Sequence, residues 1–73
     1  MTPNLVAVMQ ALYASEINVE ISSFWDGGWD VKLGDQMNGF KVEKNFDSLD
    51  DAAPWLVAEA KAAYPNSEFA KAW

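Results

Sequence analysis

Residues 17–46 read INVEISSFWDGGWDVKLGDQMNGFKVEKNF, and this stretch decides the fold. Three runs within it, INVEISSFW, WDVKLGD and FKVEKNF, carry apolar side chains on every second position, the spacing of half-buried β-strands. In the first run Ile17, Val19, Ile21, Ser23 and Trp25 point one way, and Asn18, Glu20, Ser22 and Phe24 the other. In the second, Trp29, Val31 and Leu33 oppose Asp30 and Lys32. Both apolar sets fall on odd numbers, so facing residues sum to an even number and the connection has an odd length. Asp26-Gly27-Gly28 is predicted as that loop, with a glycine for the left-handed position. It pairs Trp25 with Trp29, Ser23 with Val31 and Ile21 with Leu33. A two-residue Asp-Gly turn is rejected, because a one-residue slip turns a strand inside out.

The third run reverses the parity, since Phe40, Val42 and Phe46 are even-numbered. Either a two-residue Asn38-Gly39 turn or a four-residue Gln36-to-Gly39 loop satisfies it. The longer loop sets Leu33 against Val42, Trp29 against Phe46 and Lys32 against Glu43. Both give the same outer face of Glu20, Ser22, Phe24, Asp30, Lys32, Lys41, Glu43 and Asn45.

Outward from the strands, both flanks read as helix. Thr2-Pro3 is a helix start, a hydroxyl cap followed by proline at the first helical position. Leu5, Val8, Met9 and Leu12 then share one face, with Val6 and Tyr13 flanking it. The back face of Ala7, Gln10, Ala11 and Ala14 carries no charge. Such a face is either an ordinary exposed alanine surface or a contact between two copies of the chain. Downstream, Ser48-Leu49-Asp50-Asp51 opens a second helix, with carboxylates at its positive end. Pro54 requires that helix to begin near Asp51, or a separate turn to precede a kink. Leu49, Ala53, Leu56, Ala60 and Ala63 form its core stripe. The small side chains suit a sheet whose inner face carries Trp25, Trp29, Phe40 and Phe46. Tyr64-Pro65-Asn66-Ser67 stops the helix, and Asn66 or Ser67 caps a last turn through Phe69, Ala70 and Trp73.

The expectation is one α+β domain over residues 1–73, of order α-β-β-β-α. Its antiparallel meander carries two helices on one face and a short helical turn at the C-terminal end. From about residue 3 to 64 this order is similar to the double-stranded-RNA-binding domain. The resemblance is one of topology alone. That family meets phosphates with a lysine-rich start to its last helix, where this chain has Ser48-Leu49-Asp50-Asp51-Ala52.

Composition narrows function by exclusion. The 73 residues include no Cys and no His, which removes thiolate and imidazole metal ligands and the usual base near neutral pH. The basic residues are Lys32, Lys41, Lys44, Lys61 and Lys71; with no Arg and eleven carboxylates the net charge is −6. Nucleic-acid binding is therefore not expected, because phosphates are neutralised by Lys and Arg. No apolar run approaches a membrane span, and LVAVMQAL lacks the basic flank and cleavage pattern of a signal segment. A cytoplasmic protein without cofactor or metal is expected.

The Trp25-Asp26-Gly27-Gly28-Trp29 hairpin reads either as a clamp of two indoles or, more simply, as two indoles facing the helices. Trp55 lies off the stripe of the second helix. It is either covered by Phe69 and Trp73 or exposed as a binding anchor. Asp47, Asp50 and Asp51 lack the spacing of a calcium loop, and Asp26 with Asp30 implies no catalytic pocket. Candidate interaction residues are thus Trp55, Phe24, Ala7, Ala11 and Ser22. The function they suggest is a small acidic interaction or regulatory module that binds another protein and self-associates. An acidic decoy of a nucleic-acid-binding protein is the alternative, and an enzyme is disfavoured.

Overall fold

The computed structural model describes residues 4–35 and 39–73. Helix α1 (Leu5–Ala14) leads into strands β1 (Val19–Phe24), β2 (Gly28–Asp35) and β3 (Gly39–Phe46). A 3-10 turn (Leu49–Asp51), helix α2 (Ala52–Ala63) and helix α3 (Glu68–Ala72) follow. The sheet is an antiparallel meander of order β1-β2-β3. The chain is an α+β fold with the expected α-β-β-β-α order and a short last helix.

Helix α1 is capped by Asn4, whose Oδ1 accepts from the Ala7 N–H at 3.1 Å. The cap expected at Thr2-Pro3 lies outside the described residues. At the other end, the Ile17 N–H reaches Leu12 O at 2.9 Å and the Glu16 N–H reaches Tyr13 O at 3.1 Å. That is a complete Schellman ending. Leu12 and Ile17, the apolar pair that accompanies it, are both buried. The left-handed residue is Glu16, at φ 61, where glycine is usual.

The odd-numbered face of β1 and β2 meets the helices. Ile17, Val31, Leu33 and Phe46 form one buried cluster with Val8 and Leu12 of α1 and with Ala52, Ala53, Leu56 and Ala60 of α2. Alanine dominates the α2 side, so that helix can lie close to the sheet. Pro54 sits within the first turn of α2, where its missing N–H leaves no intrahelical bond unmade. Phe69 of α3 completes the cluster at 1% exposure and is the largest fully buried side chain among the described residues. Ser67 aims it inward: its hydroxyl donates to Tyr64 O at 2.7 Å and accepts from the Ala70 N–H at 3.1 Å.

Register follows parity but not every expected pair. Between β2 and β3 the partners are Leu33 with Val42, Lys32 with Glu43 and Trp29 with Phe46, those of the longer loop. A bulge at Leu33/Gly34 then pairs Gly34 with Phe40, with Gly34 at φ 104. Residues 36–38, on which the choice of connection falls, and the side-chain facings expected for Phe40 and Lys41 lie outside what the structure describes. Between β1 and β2 the partners are Ile21 with Val31 and Ser23 with Trp29. The faces are those expected, and the pairing is displaced by two residues.

Candidate functional site

The displacement creates the most exposed feature of the described residues. The turn is Trp25-Asp26-Gly27, closed by the Gly27 N–H on Phe24 O at 2.9 Å. Gly28 belongs to β2 at φ 78, opposite Phe24. A Cβ there would stand 2.6 Å from Phe46 O, so the strand position demands glycine. With Gly28 drawn into the sheet, the turn begins earlier and Trp25 leaves the core. Its indole is 98% exposed, which overturns the expectation that Trp25 and Trp29 both face the helices. Trp29 is half-buried. Parity could not decide this, because either glycine completes a three-residue loop.

Asn45, on β3, fastens the tip. Its Nδ2 donates to Gly27 O at 2.7 Å and to Asp30 Oδ1 at 2.8 Å. The turn backbone is thereby tied to the far strand of the sheet. Beside it, Ser23, Phe24, Trp25, Gly28, Trp29 and Asp47 line an open cleft of about 350 Å³. Phe24 is 53% exposed. Aromatic surface together with a carboxylate, and no cation among the described lining residues, suits positively charged groups. A smaller depression of about 190 Å³ is lined by Asp30, Glu43, Lys44 and Asn45. Among the described residues no three metal-ligating side chains converge.

The remaining candidate residues are dispersed. Trp55 is half-buried, with its ring edge-to-face against Phe46 at 5.5 Å and 69°. Phe69 and Trp73, expected to cover it, stack on each other at 5.3 Å. Ala7 is exposed, whereas Ala11 is half-buried and packs against the core, which removes it from the back face. The exposed arc of α1 is instead Val6, Ala7, Gln10, Tyr13 and Ala14. Ser22 is half-buried on β1, opposite Asp30. Lys44 shares the parity of Val42 and Phe46, a point missed in reading β3, and its ammonium lies 5.5 Å from the Phe46 centroid. Among the described residues no helix is long and apolar enough to cross a membrane.

Comparison with protein-family models, with curated proteins and with solved structures gives no match to this chain.

Proposed function

We propose that the chain is a protein-interaction module that engages another protein through the β1–β2 tip, with Trp25 as anchor and Phe24 beside it. The observation carrying this reading is an indole left 98% exposed on a turn whose backbone is held by Asn45. Burying a tryptophan is worth on the order of 4 kcal/mol, and here that gain is left to a partner. A turn already fixed loses little conformational entropy on binding. The decoy alternative needs an unbroken row of carboxylates. On the outer face Lys32 stands between Glu20 and Glu43 in register, which interrupts such a row.

Affinity capture from the native host, with wild-type, Trp25→Ala and Tyr13→Ala baits, tests the reading. A protein retained by wild type and Tyr13→Ala but lost with Trp25→Ala is the expected outcome. Recovery indifferent to Trp25 overturns it.

A second reading, compatible with the first, is self-association through α1. It is favoured by the uncharged arc on which Val6 is 64% and Tyr13 86% exposed.

A further inference from the structure

The cleft beside the tip has a chemistry more specific than an exposed indole. We propose that it receives a cationic side chain of the partner protein, an alkylammonium or a guanidinium, held against Phe24, Trp25 and Trp29 and neutralised by Asp47. The proposal rests on the protein-binding reading of the tip and names the chemistry of what is bound there.

Four observations converge. Aromatic side chains supply three of the six lining residues, and a carboxylate supplies a fourth; ring faces attract cations electrostatically, tryptophan most strongly. Among the described residues no lysine lines the cleft, and Lys44 is placed over Phe46. The volume of about 350 Å³ is near the lower end of the roughly 300–1,000 Å³ of ligand pockets, which suits one side chain rather than a cofactor. The net charge of −6 draws cations toward the surface at low salt.

The walls are set before anything binds. Ser23 and Trp29 are register partners in the sheet, and Asn45 holds the Gly27 carbonyl at 2.7 Å. Asp47 follows directly on Phe46, whose carbonyl stands against Gly28. The backbone on both sides of the turn is thus anchored, and Trp25, 98% exposed, is the lining residue with most surface left to cover.

The test is an NMR titration of the whole chain, following the indole N–H signals. The probes are Nα-acetyl-lysine amide, its Nε-trimethylated form, Nα-acetyl-arginine amide and the uncharged Nα-acetyl-norleucine amide. Saturable shifts with at least one cationic probe, and binding about ten-fold weaker for norleucine amide, are expected. Trp25→Ala should abolish saturation, and Asp47→Asn should weaken it several-fold. Phe24→Ala serves as a second aromatic variant. Norleucine amide binding as well as the cations, or no saturation with any probe, overturns the proposal. Binding to phosphatidylcholine vesicles with a blue shift of tryptophan emission overturns it in favour of a lipid headgroup. The two readings fail separately. If the probes do not bind while Trp25-dependent capture persists, the interaction module stands and the cationic ligand falls. If the probes bind while capture ignores Trp25, the protein-binding reading falls, and with it the assignment of the cation to a partner.

Discussion

Glu16 holds the least favourable backbone position of any non-glycine residue described. Its φ of 61 places an L-residue where the left-handed conformation costs about 1–2 kcal/mol. Its carboxylate also follows the C-terminal end of α1, where the helix dipole disfavours negative charge. Glu16→Gly should therefore stabilise the fold by about 1 kcal/mol, a rise in melting temperature of roughly 4–8 °C for a chain of this size. An unchanged or lower melting temperature would refute the account of the Schellman ending. Gly28 is the contrasting case, a left-handed residue that is already glycine, and there the close approach of Phe46 O removes any alternative.

Among the elements, α3 carries more weight than its five residues suggest. Phe69 fills the core, and Phe→Ala at such a site costs about 3–5 kcal/mol. A fold of this length holds roughly 4–11 kcal/mol in all. Phe69→Ala is expected to lower the urea midpoint by about a quarter or more, whereas Trp73→Ala, on an exposed residue, should move it little. Equal effects would show that α3 merely rests on the surface. The contrast also marks how far the chain could be read in advance. Alternation along Ile17–Val19–Ile21 and Val31–Leu33 allows one buried face, so the sheet and its two sides were legible. The same was true of α2, where Ala53, Leu56 and Ala60 recur on one stripe. Phe69 was not placed in the core because a helix of one turn has too few residues to show a period. Its direction comes from Ser67, whose two hydrogen bonds turn the chain back after Pro65. The hairpin tip was half legible: the Trp-Asp-Gly-Gly-Trp sequence stood out, but which glycine enters the sheet depends on β3, a contact between residues distant in sequence. Ala11 was misread because the apolar arc of α1 is wider than a four-residue stripe, so that it also faces the core.

At the scale of the molecule, the proposed partner surfaces are the hairpin tip and the uncharged arc of α1, which hold Phe24, Trp25, Val6 and Tyr13 of the exposed large apolar side chains among the described residues. A helix of ten residues is about 15 Å long, too short to bury the roughly 1,200 Å² of a specific interface by itself. A dimer would also need the open edge of β1, the outer strand on that side of the meander. Sedimentation equilibrium at high micromolar concentration should show a dimer. Tyr13→Lys should split it through the helix, and Ser22→Lys through the strand. Ala11→Lys is no test, since it would disturb the core. A monomer throughout would end the reading.

The hydrogen bond from Asn45 to Gly27 joins the third strand to the turn between the first two. An isolated β-hairpin forms in about 1–10 μs, so the first two strands can meet before the third arrives. Until it does, nothing holds the Gly27 carbonyl, and Gly28 has no Phe46 carbonyl beside it to enforce its approach. The tip therefore has its full shape only when all three strands are paired. A nascent or partly unfolded chain would carry Trp25 on a loose loop, and recognition that depends on the shaped tip would pass over such chains. If the tip binds as proposed, competence to bind requires the completed sheet, and the interaction would distinguish folded from partly folded chains.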